Sequence, residues 1–172
     1  MTNRLIVGAI VLFGLISCST YMSGPPKMGY QYYSKHPTGE YHLALDLDGP
    51  VGTIVRAAGD GTVIATNNTH RYANVRIKNT KTGITTYYYH IGDIKVAKGD
   101  EVKRGQQIAR LELTGVAGPQ PNAPIINYPH LHFEVFKGDE MIDPETLKMT
   151  CPGGGGEYWW PIGCDEFYNC LL

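Results

Sequence analysis

Short apolar segments separated by clusters of turn-forming residues fill the chain from residue 36 to about residue 147. They have the length and spacing of β-strands, and 129–136 alternates strongly between apolar and polar residues. Strands are predicted at 53–57 and 62–66, joined by a turn at 58–61, and at 75–78 and 84–90, joined by a turn at 79–83. A further pair of strands is predicted around Val102 and Ile108, and a strand at 129–136 is followed by a turn at 137–140. The first two pairs are predicted to be β-hairpins. No segment clearly predicts a helix, so we expect an all-β fold, a small domain of antiparallel sheet arranged like a barrel or a sandwich.

Composition supports one ordered domain. The chain has 172 residues, with 21 Gly and 11 Pro spread along it, which disfavours long helices. Apolar residues make up 42% and aromatic residues 10%, shares too high for a disordered chain. The chain contains 15 Lys and Arg residues and 16 Asp and Glu residues, so it lacks the excess of basic residues typical of a nucleic-acid-binding surface. We therefore expect no nucleic-acid partner.

The first residues predict a signal peptide that spans 1–17. Residues 5–16 form a twelve-residue apolar run after Arg4, whereas a membrane-spanning helix needs about 20 residues. The run ends in Leu15-Ile16-Ser17-Cys18, which resembles the bacterial lipobox, where the chain is cut before the cysteine and its thiol is acylated. An ordinary signal peptide with an incidental cysteine is the alternative.

Acylation of Cys18 would anchor the mature protein to a membrane. Ser19 follows the cysteine, and by resemblance to Gram-negative lipoproteins this favours the periplasmic face of the outer membrane. Residues 18–35 contain Gly24-Pro25-Pro26 and are interpreted as the lipidated cysteine and a tether. We expect the protein to act in the cell envelope.

The remaining cysteines lie in a tail, 149–172, that is rich in Gly and Trp. One disulfide is expected among Cys151, Cys164 and Cys170, and all three pairings are open. No C-x-x-C pair or neighbouring His is present, which argues against a structural zinc site in the tail. Packing on the domain is a better interpretation of Trp159-Trp160 than contact with a glycan.

Two short motifs carry candidate chemistry. In His42-Leu-Ala-Leu-Asp46 the His and the Asp share one face of an extended strand, and in Pro129-His-Leu-His-Phe-Glu134 the two imidazoles stand side by side. Together the motifs offer three imidazoles and carboxylates, a donor set suited to zinc. Each motif alone is equally compatible with ordinary core or surface histidines.

The motifs in combination resemble the lysostaphin/LytM-type zinc metallopeptidases over residues 36–148. The matching landmarks, in order, are His42–Asp46, 52–61, Tyr88-Tyr-His-Ile91, 96–108, Pro129-His-Leu-His-Phe-Glu-Val135 and Asp143-Pro144. The resemblance implies that this region folds as a LytM-type domain.

The resemblance also implies a role for each matched residue. His42, Asp46 and His132 match the three zinc ligands, and His90 and His130 match two catalytic histidines that lie beside the metal. Three protein ligands leave a position open for water or substrate, as catalytic zinc requires. We expect one zinc ion per chain and hydrolysis of peptide bonds in peptidoglycan, with cross-linking stem peptides favoured. Which catalytic histidine is the base stays open.

Other polar residues are weaker candidates. Tyr88 is placed by alternation on the face of His90 and could support it, but packing is the better interpretation. Asp48 is expected to be solvated or to lie behind the ligands, and Glu134 to orient a neighbour or to face solvent. His36 and His70 lie in polar, loop-like contexts and are not expected to take part.

The chain departs from the family pattern at three places: Ala44 where Gly is usual, a Pro-rich link of fourteen residues before His130, and the tail. Two other function classes remain as alternatives. One is a non-catalytic peptidoglycan-binding or hydrolase-activating module, although all five family positions are intact here. The other is a biotinyl/lipoyl carrier, suggested by 96–108, but Lys148 lies outside the matching region.

Overall fold

A computed structural model of the protein describes residues 19–22, 28–29, 31–35, 39–69, 73–113, 129–164 and 166–169. These residues form β-strands and a single 3-10 turn. The strands are β1 Ser19–Met22, β2 Leu45–Asp48, β3 Ile54–Arg56, β4 Gly61–Asn67, β5 Asn74–Lys78, β6 Ile84–Tyr89, β7 Ile91–Gly92, β8 Glu101–Val102, β9 Gln107–Leu111, β10 His130–Lys137, β11 Glu140–Ile142 and β12 Glu166–Asn169, with the 3-10 turn at Pro144–Leu147. Across the described ranges, no helix has the length and apolar character needed to cross a bilayer.

The strands form two sheets and one separate pair, all antiparallel. A seven-stranded sheet has the order β11-β10-β6-β5-β4-β8, and β2 also pairs with β10. A three-stranded sheet has the order β3-β9-β7, and β1 pairs with β12. The prediction of a small antiparallel all-β domain is confirmed.

One predicted hairpin is confirmed and the other is wrong. β5 and β6 pair directly, and Gly83 closes their turn with a positive φ of 72°. β3 and β4, by contrast, belong to different sheets, because β3 pairs with β9 while β4 pairs with β5 and β8. The intervening turn therefore carries the chain from one sheet to the other. The strands around Val102 and Ile108 exist as β8 and β9, but they too lie in different sheets.

One hydrophobic core joins the two sheets. On β10 the alternation works as predicted, since Leu131, Phe133 and Val135 are fully buried while the residues between them point to the other face. Large core side chains from the other strands are Leu45, Leu47, Val55, Val63, Val75, Tyr88, Ile91, Ile108 and Leu111. This core fixes the outer face of the large sheet, where the candidate site lies.

The start of the tail packs on the domain. Cys151 and Cys164 form a disulfide, and Cys170 lies outside the described residues. Tyr158 and Ile162 belong to the hydrophobic core. The Trp159 ring lies against Gly105 and under the Arg104 guanidinium, 4.8 Å from the ring centre, and Trp160 packs against the core. The packing interpretation of Trp159-Trp160 is therefore confirmed.

The end of the predicted tether lies along the entrance to β2. Met28 forms an isolated bridge with Leu47, and Lys35 forms one with Tyr41. The Tyr33 N–H donates to the carbonyl of His42 at 2.6 Å. These contacts hold the backbone on either side of the first candidate ligand.

Candidate metal centre

Three predicted ligands meet on the outer face of the large sheet. His42 Nε2 lies 3.2 Å from His132 Nδ1 and 3.2 Å from Asp46 Oδ1. His132 Nδ1 lies 3.0 Å from the same carboxylate oxygen. The residues of this triangle are the one group of three His, Cys, Asp or Glu side chains in the described chain that could hold a metal ion.

Strand pairing brings the candidate ligands together. β2 and β10 are antiparallel neighbours with Asp46 opposite His132, and side chains of directly opposed residues share a face. His42 lies outside β2, where its N–H donates to the carbonyl of Ser34 at 2.9 Å. The spacing of four residues between His42 and Asp46 thus turns two side chains toward one point.

The donor set fits zinc. Imidazole nitrogens and carboxylate oxygens are donor types that zinc commonly binds in proteins. Around a tetrahedral zinc ion, donor atoms at 2.0–2.1 Å from the metal lie about 3.3 Å from one another. The three distances in the triangle, 3.0, 3.2 and 3.2 Å, are close to that value. Behind the triangle, the Glu134 carboxylate lies 3.2 Å from His132 Nε2, the contact that orients a metal-binding imidazole.

The carboxylate at the centre is buried and charged. Asp46 is 3% exposed. Burial alone would raise the pKa of Asp46, but hydrogen bonds from His132 and His42 and the charges of His130 and His132 hold it well below its ordinary value. Conversely, burial would lower the pKa of His132, but its contacts with Asp46 and Glu134 raise it to about 9. In the metal-free site at neutral pH, the Asp46 carboxylate is therefore ionised and the His132 ring beside it is protonated.

Two further histidines flank the triangle. His130 is opposite Asp48 on β2, is 4% exposed, and has its Nε2 3.7 Å from the second carboxylate oxygen of Asp46. The His90 ring meets the His130 ring edge to face, with centroids 4.7 Å apart. All five residues singled out from the sequence therefore lie in one cluster.

His90 reaches this cluster through an unusual backbone conformation. Alternation along β6 would direct the residue after Tyr89 into the core, but β6 ends at Tyr89 and His90 has a φ of 61°. A positive φ costs free energy in a residue other than Gly, and such strain is typical of functional sites. The turn brings the imidazole to the outer face.

The secondary candidates are now distinguished. Tyr88 is fully buried, and its hydroxyl accepts from the Ala58 N–H at 2.8 Å and from the Thr86 hydroxyl at 3.0 Å, so the packing interpretation is confirmed. Glu134 orients a neighbour, His132, as described above. Asp48 is half-buried in the ladder beside His130. The lipidation residue Cys18, together with His36, His70 and most of the Pro-rich link, lies outside the described residues.

Aromatic side chains beside the ligands were missed by sequence reasoning. Tyr89 is opposite His132 on β10, with ring centroids 5.7 Å apart. Tyr87 packs on Phe136 at 4.6 Å and carries the Arg76 guanidinium 4.7 Å above its ring. Alternation along β6 could have placed both tyrosines on one face, but the position of Arg76 follows from the β5–β6 register.

The fold and the cluster define a β-sheet metallopeptidase type of domain, and the family match agrees. Residues 40–144 match Peptidase family M23, and the chain belongs to this family. The matched region contains all five residues of the cluster.

Individual proteins show the same relationship. The chain is 38% identical over 128 residues to the peptidoglycan DD-endopeptidase ShyB of Vibrio cholerae. The aligned region covers 72% of this chain and 27% of ShyB. The structure is similar to the catalytic domain of lysostaphin from Staphylococcus simulans, with a TM-score of 0.58 and 25% identity over 70% of this chain and 90% of the other. It is also similar to a zinc-containing peptidase from Vibrio cholerae, with a TM-score of 0.57 and 31% identity over 73% of this chain and 39% of the other. The chain thus spans about a quarter of the length of ShyB.

Proposed function

We propose that the protein is a zinc-dependent endopeptidase that hydrolyses peptide bonds in bacterial peptidoglycan, with cross-linking stem peptides as the favoured substrate. The observation that carries the proposal is the triangle of His42, Asp46 and His132 with two further imidazoles against it. A structural zinc site would need a fourth protein ligand, whereas three ligands suit a catalytic site. Membership of a peptidase family and similarity to ShyB, which is named as a peptidoglycan DD-endopeptidase, support the substrate class.

The ligand residues would hold one zinc ion between them. A bound zinc ion supplies a Lewis acid that polarises the scissile carbonyl and lowers the pKa of a water molecule. Asp46 would neutralise part of the ion's charge, and the contact of Glu134 with Nε2 would keep the Nδ1 of His132 turned toward the site.

His90 and His130 would move protons during hydrolysis. Their rings meet edge to face next to the candidate ligands, so either imidazole could accept a proton from the attacking water or deliver one to the leaving amine. His130 is 4% exposed, and its Nε2 lies 3.7 Å from the Asp46 carboxylate. The positive φ of His90 turns its side chain to the outer face, where its ring meets that of His130.

Anchoring is part of the proposal. The lipobox-like Leu15-Ile16-Ser17-Cys18 supports cleavage before Cys18 and attachment to a membrane through acyl chains on that residue. Such an anchor would hold the hydrolase in the cell envelope, with the periplasmic face of the outer membrane favoured.

The test combines cleavage with chelation. Purified protein loaded with zinc is incubated with peptidoglycan sacculi, and the released fragments are identified by mass spectrometry with and without a chelator. New stem-peptide termini that disappear with the chelator and return with zinc would support the proposal and identify the bond. One bound zinc per chain without any cleavage would instead favour a binding or activating module.

Two variants separate the proposed roles. His132→Ala removes a ligand, so zinc content and activity should be lost together. His130→Ala should keep one zinc per chain, measured by elemental analysis, while turnover falls by about 10²–10⁴-fold, the usual contribution of acid–base catalysis. Turnover by His130→Ala at the wild-type rate would show that the role assigned to His130 is wrong.

A further inference from the structure

We propose that Arg76 and Tyr87 form a carboxylate-binding subsite on the sheet face next to the metal centre, and that this subsite selects peptide substrates with a free carboxylate. This inference rests on the proposed endopeptidase function and adds a substrate preference to it. It concerns residues of β5 and β6 that take no part in the metal centre or the proton transfers.

Strand register places the subsite relative to the ligands. Arg76 is opposite Tyr87, and Tyr87 is opposite Glu134, so the three side chains form a row across β5, β6 and β10. The next row contains Tyr89 and His132. Directly opposed residues share a face, so Arg76 lies on the same face as the ligand His132.

The separation suits a peptide substrate. Two strand spacings of about 4.8 Å and one same-face step of about 6.6 Å put the Cα atoms of Arg76 and His132 about 12 Å apart. An extended peptide covers that length with three to four residues. A substrate cleaved at the metal centre could therefore extend across the Tyr87–Tyr89 surface and reach Arg76 with a nearby residue.

Arg76 has no acidic partner among the described residues, although its side chain also hydrogen-bonds to that of Tyr89. None of the ion pairs formed by the described residues includes Arg76, and its Nε is buried with no hydrogen-bond partner. The acidic residue in its row, Glu134, is engaged with His132. A partly buried guanidinium without an anion is costly, and an incoming carboxylate would relieve that cost.

The aromatic ring holds the guanidinium in place. Arg76 Cζ lies 4.7 Å from the Tyr87 ring centre, and Tyr87 is itself braced by Phe136 at 4.6 Å. Stacking of this kind keeps the planar guanidinium ready for carboxylate recognition at little further cost in side-chain entropy. Charge-assisted hydrogen bonds from an arginine to a carboxylate are among the strongest in proteins.

The experiment uses two probes, a fluorescently labelled cross-linked stem-peptide dimer with free carboxylates and the same dimer with its carboxylates amidated. Binding is measured by fluorescence polarisation in the presence of a chelator, and cleavage is measured separately with zinc. The wild-type protein should bind the free-acid probe about tenfold more tightly than the amide, and in cleavage this difference should appear in KM rather than in kcat.

Variants identify the residue responsible. Arg76→Gln should reduce the preference for the free acid to within about twofold, and Arg76→Lys should keep only part of it, because an ammonium ion lacks the planar stacked fork. Lys78→Gln is the matched control, since Lys78 is an exposed cation two residues along the same strand and on the same face. The control should bind both probes like the wild type. Thermal unfolding of each variant verifies that it folds.

Three results would overturn the inference: equal binding of both probes by the wild type, an unchanged preference in Arg76→Gln, or an equal loss in Lys78→Gln. The wild-type comparison decides even if a variant fails to fold. Cleavage without any preference for the free acid would leave the proposed function standing and reject the subsite. An Arg76-dependent preference without cleavage would do the reverse.

Discussion

Zinc binding should compete with a proton on His132. Asp46 and Glu134 contact its two ring nitrogens at 3.0 and 3.2 Å. Although burial alone would lower the pKa of His132, these carboxylates raise it to about 9 in the metal-free site. A metal ligand must be neutral at the nitrogen that binds, so at pH 7 the incoming ion has to displace this proton.

The size of the effect follows from the pKa. Below about pH 9, each decrease of one pH unit should lower the apparent zinc affinity tenfold, because one proton on His132 must be lost for each ion bound. At pH 7 the apparent affinity should therefore lie about a hundredfold below its plateau. The sign is fixed by the raised pKa, since a lowered pKa would give an affinity independent of pH over this range.

Glu134→Gln is the perturbation that tests the cause. The substitution removes one of the two carboxylates that favour the protonated ring, so the pKa of His132 should fall and the affinity should reach its plateau at a lower pH. Glu140→Gln is a suitable control, because Glu140 is exposed on β11 and its removal should leave the profile unchanged.

The assay is competition for zinc with a chromophoric chelator between pH 6 and pH 9. Calorimetry in two buffers with different ionisation enthalpies then counts the protons released on binding. At pH 7, His132 should release about one proton for each zinc ion bound. An apparent affinity that is constant from pH 7 to pH 9 would refute the reasoning. So would a Glu134→Gln profile that superimposes on that of the wild type.

Two further predictions concern stability. Tyr88→Phe should lower the free energy of unfolding by about 1–3 kcal/mol, because the buried Ala58 N–H loses its acceptor. Urea denaturation measures this free energy, and a change smaller than about 0.5 kcal/mol would contradict the prediction. Gly105→Ala should destabilise the fold more than Gly99→Ala does, since both glycines have positive φ but only at Gly105 would the added Cβ meet a ring, 2.7 Å from Cε3 of Trp159. Overpacking puts the difference at about 1–3 kcal/mol, and equal losses in the two variants would show that the Trp159 packing is soft.

Local patterns predict local elements well. The β5–β6 hairpin and the alternation of β10 follow from residues that are neighbours in sequence, and both are found in the structure. The failed hairpin has an equally good turn sequence at 58–61. There, however, the Ala57 N–H donates to Gln106 at 2.9 Å, and the Ala58 N–H donates to Tyr88. These partners come from elsewhere in the chain, so the turn residues alone do not specify which strand β3 joins.

The same reasoning separates the parts of the site. Asp46 and His132 belong to short motifs and can be found from sequence. In a strand, residues two positions apart lie on the same face, so alternation groups each of them with the other polar residues of its motif. His90 cannot be placed by that period, since its φ of 61° reverses the face on which its side chain lies. Its assignment from sequence depended on family resemblance, because alternation would have placed its side chain on the core face with Tyr88.

Arg76 represents a third case, in which neither motif nor period is sufficient. Its relation to the candidate ligands depends on two successive registers, β5 with β6 and β6 with β10, and a shift of one residue in either would put Arg76 and His132 on opposite faces of the sheet. The core limits such shifts, because Val75, Tyr88 and Phe133 are fully buried on the opposite face of the same three strands. The packing that stabilises the sheet therefore also determines which cation lies beside the candidate metal centre, and the proposed preference for a carboxylate would depend on core packing through strand register.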